Sequence, residues 1–209
     1  MKGIGVLSVL CALSLLLLGG DWCEPAHADA LSTGGAKQPS QGPLLALSPA
    51  HQYFGDVILV SQDGEEMRLY SDLLRDKVVV INAFFTSCKG SCPVVMATFA
   101  SLQEWLGERL GKQVHLLSVS VDPETDTPAK LKAYAERLKA KPGWYFLTGE
   151  RRHVERALHK LGQFVEHRED HNDLIIIGNE TTGLWKKAFG LARTEDIIKL
   201  VESVLHDRG

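Results

Sequence analysis

The stretch Phe84-Phe85-Thr86-Ser87-Cys88-Lys89-Gly90-Ser91-Cys92-Pro93-Val94-Val95-Met96 decides the fold. Just before it runs Val78-Val79-Val80-Ile81, a β-branched run of the kind that forms a strand buried on both faces. Just after it, Val95, Phe99, Leu102, Leu106 and Leu110 recur at helical spacing and predict a helix over 93–111. Cys88 and Cys92 therefore sit at a strand-to-helix junction. Pro93 suits the first helical position, where a missing N–H costs no bond, and Gly90 lets the loop between the thiols turn tightly. A helix N-terminus favours negative charge, so the junction and the neighbouring Lys89 are expected to lower a thiol pKa. Two close thiolates can join as a disulfide or hold a soft metal ion, and the residues leave both uses open.

Working outward, residues 57–60 and 67–70 flank Asp63-Gly64 and predict a β-hairpin, followed by a short helical turn over 71–74. The central strand spans 77–85. Residues 114–121 predict another strand, and Asp122-Pro123-Glu124-Thr125-Asp126-Thr127-Pro128 an acidic loop in which Thr127 caps a helix over 129–139. Asp122, Glu124 and Asp126 are expected to solvate that loop and charge the helix start, with support of the site or contact with a partner as the alternative. Pro142-Gly143 breaks the pattern, a strand follows over 144–147, and a helix over 151–161. A strand over 173–177, a turn over 179–183, a partner strand over 184–189 and a helix from Thr194 to about residue 207 complete the chain. Met96 is expected in the core. The order predicts an α/β fold: a central mixed sheet covered by helices on both faces, with an N-terminal β-hairpin, a parallel part and an antiparallel edge. A cysteine pair opening a helix after a strand in such a pattern suggests the thioredoxin-like class, although thioredoxin has two residues between its cysteines and this chain has three.

The first residues set the compartment. Lys2 precedes an apolar run over 4–18, and Ala26-His27-Ala28 places small residues where a signal peptidase reads, so residues 1–28 are expected to be a secretory signal cut after Ala28. The rival is an uncleaved anchor, but the run is short against the roughly 20 residues that span a bilayer. Membrane association would then run through the N-terminus alone. Cys23 follows Asp21-Trp22 rather than a small residue, which argues against lipidation. Residues 29–50, rich in Ser, Gly, Pro, Gln and Ala, read as a flexible tether to one domain over 51–209. The protein is thus expected outside the cytoplasmic membrane, in a periplasm or its equivalent. A net charge of −3 gives no reason to expect nucleic acid as a partner. Cys11 and Cys23 leave with the signal, so the mature chain keeps only Cys88 and Cys92. A structural disulfide gains most by closing a long loop, and this pair closes a very short one.

Two thiolates leave room for a third ligand. His153 and His159 fall on a charged helix, His115 in a strand, His206 in the C-terminal turn, and His51 ahead of the hairpin. His171 lies in Arg168-Glu169-Asp170-His171-Asn172-Asp173, directly before a buried strand. In a thioredoxin-like fold the loop entering that strand faces the cysteine loop, and His167 is the alternative ligand from the same loop.

The cysteine stretch over 84–93, then Val119-Ser120-Val121-Asp122-Pro123-Glu124-Thr125-Asp126-Thr127-Pro128, then Asp170-His171 before an apolar strand and hairpin, resembles the Sco/SenC family. The likeness covers about residues 50–207, and three motifs in the right order make it specific. It implies a thioredoxin-like domain, tethered outside the cytoplasmic membrane, that binds copper through two cysteines and one histidine. By position these are Cys88, Cys92 and His171. It also implies a role in loading copper into cytochrome c oxidase, with that enzyme's copper-site subunit, or another copper or thiol-redox protein, as partner. Lys89, Gly90 and Ser91 differ from the acidic or apolar residues common between the family's cysteines.

Three functions follow. The first is a copper-binding assembly factor, not an enzyme in the turnover sense, since soft thiolates with imidazole suit Cu(I) and accept Cu(II). A structural zinc site would need a fourth protein ligand. The second is a thiol–disulfide oxidoreductase that uses the same cysteines without metal. The third, a thiol peroxidase, does not fit Thr86-Ser87-Cys88.

Overall fold

The computed structural model describes residues 47–209, so the expected signal and nearly all of the tether lie outside the described residues. The chain opens with helix α1 (Pro49–Phe54) and the hairpin β1 (Ile58–Ser61) and β2 (Glu66–Arg68). A single π-helical turn, Leu69–Leu74, leads to β3 (Val78–Phe84) and α2 (Cys92–Leu106). Then come β4 (Val114–Ser120), α3 (Pro128–Arg137), β5 (Trp144–Thr148) and α4 (Arg151–Leu161). The pair β6 (Leu174–Asn179) and β7 (Leu184–Phe189) precedes α5 (Thr194–Leu205).

The seven strands form one sheet in the order β2-β1-β5-β4-β3-β6-β7. The centre, β5-β4-β3, is parallel, with Ile81 opposite Leu117 and Leu117 opposite Tyr145. Both flanks are antiparallel: β1 and β2 on one side, β6 and β7 on the other. The sheet thus matches the expected class, with two antiparallel edges where one was expected. Every residue of β3 and β4 is buried, as expected of strands covered on both faces, the polar Asn82, His115, Ser118 and Ser120 included.

Strand alternation divides the core in two. Val78, Val80 and Phe84 of β3 face α2, α3 and α5 together with Phe99, Leu131, Trp144, Phe146 and Val201. Val79, Ile81 and Ala83 face the other way, onto Phe54 of α1, the turn residues Leu69, Leu73 and Leu74, and Val154 and Leu158 of α4. Fully burying each such side chain contributes about 1.5–3 kcal/mol. Met96 is fully buried, as expected. Polar groups on the α2 face are satisfied in a relay: Trp144 Nε1 donates to Ser118 Oγ at 3.0 Å, and Ser118 donates to Asn82 Oδ1 at 2.7 Å.

Local boundaries differ from the sequence reading in physical ways. Helix α2 starts at Cys92, so Pro93 is its second residue, and it stops at Leu106 because Gly107 turns with φ 53°. The periodic residue Leu110 lies beyond that stop, yet still packs in the core. Helix α1 is too short to show a period. Its start is a capping device instead: the Ser48 hydroxyl accepts from the His51 amide at 3.1 Å, ahead of Pro49. Pro142-Gly143 turns against the entry to β4 with φ 100° at Gly143, where a side chain's Cβ would lie 2.4 Å from Gly111 N. Only glycine permits that approach.

Candidate metal centre

The site forms where three loops leave the C-terminal ends of β3 and β4 and the N-terminal end of β6. Buried β3 delivers the chain to Phe85, and Cys88 N donates to Phe85 O at 3.1 Å, closing a turn. Cys88 is half-buried and Cys92, in the first turn of α2, is buried; both are free thiols. The turn is fixed from below by Asp126. This carboxylate is wholly buried and accepts from Thr86 N at 3.1 Å, from the Thr86 hydroxyl and from Ser120 Oγ at 2.6 Å. Asp126 therefore does not solvate its loop, as expected from the sequence, but serves as the buried hydrogen-bond acceptor that joins the β4 exit to the cysteine turn. Thr127 caps α3 as expected, its hydroxyl accepting from Lys130 N at 3.4 Å.

His171 approaches from the loop before β6. Its Nε2 lies 3.1 Å from Cys92 Sγ. One ligand atom each from Cys88, Cys92 and His171 lies within 4.8 Å of the others. Among the described residues, His167 does not join this group, nor do His51, His115, His153, His159 or His206. His51 is paired with Asp56 at 3.1 Å and stacked on Tyr70. His115 is buried in β4 beside Tyr145, and burial pushes its pKa down. His159 stacks on Phe164, His153 lies 3.9 Å from Glu150, and His167 and His206 are exposed.

The imidazole is oriented from its far side. His171 Nδ1 lies 2.9 Å from Arg168 O, and a carbonyl can only accept, so Nδ1 carries the proton and Nε2 is left with its lone pair facing the thiols. Phe85 packs edge-on against the ring, with centroids 5.3 Å apart. The Arg168 guanidinium lies over the same Phe85 at 5.4 Å and pairs with Glu169 at 2.8 Å and with Asp122 of the acidic loop. Those carboxylates, Glu169 first, hold the guanidinium pKa well above its ordinary value. Glu124 of the acidic loop instead pairs with Arg151 at 2.8 Å. Arg168 and Asp173 escaped the sequence reading as supporting residues, and Asp126 was read there first as a loop-solvating group, with a supporting role as the alternative. Arg168 and Asp173 sit within three positions of His171, a proximity that offered the one available signal.

The electrostatics differ from expectation at Cys92. Burial, and then the hydrogen bond from Cys88, push the Cys92 thiol up to about 12. Cys92 is nearly covered, so lost hydration outweighs the helix N-terminus. Tyr134, half-buried near both cysteines, is likewise pushed up to about 12, first by burial and then by Cys92. The pocket thus holds Cys92 protonated until something replaces the proton, which a metal ion does. Bonds of about 2.0–2.3 Å to nitrogen and sulfur put two ligand atoms on one ion at most about 4.6 Å apart. The observed grouping needs only a small contraction to meet that limit, and the donor set, two sulfurs and one nitrogen, is a soft one.

The SCO1/SenC family model matches residues 47–203. The SCO1 protein homolog of Bacillus subtilis (strain 168) is 37% identical over 91 residues, which span 43% of this chain and 45% of that relative. The chain therefore aligns with less than half the length of that relative. The structure of BsSco, described as having a disulfide switch and as a member of the Sco family of cytochrome c oxidase assembly proteins, is 29% identical. It superposes with a TM-score of 0.60 over 72% of this chain and 92% of that one. Bradyrhizobium japonicum ScoI, solved with copper bound, is 22% identical, with a TM-score of 0.59 over 72% of this chain and 98% of that one, a likeness of fold. With its match running through the whole sheet, from α1 into α5, the chain belongs to the SCO1/SenC family.

Proposed function

We propose that this protein is a copper-binding assembly factor that carries copper on Cys88, Cys92 and His171 and passes it to the copper site of cytochrome c oxidase or to another copper protein. The observation that carries this reading is the convergence of those three ligand atoms within 4.8 Å, on loops 79 residues apart in sequence. The Nε2 lone pair is directed at the thiols, and two sulfurs with one imidazole match the preference of Cu(I) while admitting Cu(II). Copper is the cargo. Cys88 and His171 are half-buried and Cys92 is buried, so an acceptor's own thiol or imidazole reaches the copper from the side of Cys88 and His171.

The reading includes export. Residues 1–28 serve as a secretory signal or anchor and the residues up to α1 as a tether, placing the domain outside the cytoplasmic membrane. Among the described residues no helix is long and apolar enough to cross a membrane.

A second reading is favoured by the unequal exposure of the thiols. An accessible Cys88 can attack a partner's disulfide, and buried Cys92 then displaces the partner from the mixed disulfide. Two electrons pass from the pair to the partner, whose two sulfurs leave as thiols. Metal analysis of the full chain, purified under reducing conditions, separates the readings. One copper per chain in the parent, lost in Cys88→Ser and withdrawn more readily by a Cu(I) chelator from His171→Ala, supports the copper reading. A parent that holds no copper moves the function to thiol exchange.

A further inference from the structure

Ser91 stands immediately before α2, where a serine ordinarily turns its hydroxyl back onto the first amides of the helix, a bond worth about 1 kcal/mol. Here it does not. The Ser91 backbone is already helical, at φ −80° and ψ −24°, and its side chain makes no capping bond. The hydroxyl donates instead to Asp173 Oδ1, 82 residues away. Ser91 is the neighbour of Cys92, and Asp173 follows His171 by two residues. A local rule is broken where the two ligand loops meet.

Asp173 is a firm post. Its carbonyl accepts from Gly190 N at 2.5 Å, just past the end of β7. A Cβ on Gly190 would lie 2.7 Å from that same oxygen and 2.8 Å from a methyl of Val95 in α2, so only glycine lets these three segments close together. His171 and Asp173 both lie on the short segment that enters β6 at Leu174. One reaches Cys92 and the other reaches Ser91.

We propose that the Ser91–Asp173 hydrogen bond is a positioning clasp that sets the separation of the cysteine loop from His171, and so decides whether the chain holds copper with three ligands or with two. This rests on the copper reading above. Two thiolates alone hold Cu(I), whereas Cu(II) depends on the imidazole nitrogen. Opening the clasp therefore weakens Cu(II) more than Cu(I). The expected loss is about 10–100-fold for Cu(II), the range seen when a group that orients a ligand is removed, and less for Cu(I).

The test uses the full chain with Ser91→Ala, Asp173→Ala, Ser91→Thr and Asp173→Asn, against the parent and His171→Ala. Electron paramagnetic resonance and the thiolate charge-transfer bands of added Cu(II) report whether nitrogen is bound. Hydrogen exchange at the His171 amide, without metal, reports the loop itself. Ser91→Ala and Asp173→Ala should move the Cu(II) signature toward that of His171→Ala and speed exchange at His171. Ser91→Thr keeps the hydroxyl, Asp173→Asn keeps an acceptor oxygen, and both should resemble the parent. Parent-like signatures and exchange in Ser91→Ala overturn the clasp, as does an Asp173→Asn that behaves like Asp173→Ala. If the parent takes up no copper, the copper reading falls. The exchange data then judge the clasp alone, faster exchange in the two alanine variants supporting it and unchanged exchange overturning it.

Discussion

The cysteine loop joins a fully buried strand to a helix packed on the same core, and its turn is tied to wholly buried Asp126. The histidine loop joins α4 to β6 through a single 3-10 turn, Arg168–Asp170, with no buried residue in it. Its shape depends on contacts with distant segments: Arg168 to Asp122, Asp173 to Ser91, and His171 to Phe85 and Cys92. One loop is set by the core beneath it and the other by partners across the surface. The difference teaches that the two thiols form a standing platform, whereas the imidazole is held beside them by a few polar bonds. Altering either set of supports sharpens or breaks that contrast.

The largest effect is expected from the platform itself. Cys88→Ser and Cys92→Ser should each lower Cu(I) affinity by more than about 100-fold, beyond the range for supporting residues, in a chelator competition. An affinity that stays within tenfold of the parent would place the metal elsewhere.

Next is the buried support. Asp126→Ala leaves Thr86 N, Thr86 Oγ1 and Ser120 Oγ without their acceptor. Ser120 Oγ is buried and the Thr86 donors are half-buried, and an unsatisfied buried donor costs about 1–3 kcal/mol, so urea denaturation should show a loss of at least that order. Arg168→Ala tests the other side of the comparison. It should leave the urea midpoint nearly unchanged, because Arg168 is exposed, while weakening copper about tenfold. If Arg168→Ala destabilises the chain as much as Asp126→Ala, the two loops are not built differently.

The smallest effect concerns pH. The Cys92 thiol is raised in the folded chain from its ordinary value near 9 to about 12, so the fold favours the protonated form. Its contribution to the stability of the metal-free protein is then complete below about pH 9 and is lost as pH rises toward 12. Tyr134 is raised into the same window. Copper binding has the opposite sign, since it displaces thiol protons, and weakens as pH falls. Urea midpoints of metal-free protein should fall above pH 9, and Cys92→Ala should reduce that fall. A fall of equal size in Cys92→Ala would remove Cys92 as its cause.

The same contrast explains what could be read from the residues. The fold was legible because β3 opens on the apolar run over 78–81 and β4 is rich in Val and Leu, and because Cys88, Cys92 and Pro93 mark a strand-to-helix junction by local grammar. His171 was found from its place before β6, through a resemblance that supplied its role. Its supports were not legible. Arg168 and Asp122 lie 46 residues apart, Ser91 and Asp173 lie 82 apart, and polar residues in loops carry no periodicity to pair them. Asp126 looked like its neighbours Asp122 and Glu124 in an acidic loop, and only the fold turns it inward. Helix α1, at six residues, is too short for a period to show.

The central claim is that Cys88, Cys92 and His171 together form one copper site. Competition with a Cu(I) chelator, run on the reduced chain, on the chain oxidised to a Cys88–Cys92 disulfide and on reduced His171→Ala, tests it most directly. The account predicts tight binding by the reduced chain, weaker binding by His171→Ala and loss of high-affinity binding on oxidation, because the disulfide removes both thiolates. Equal binding by all three would contradict it.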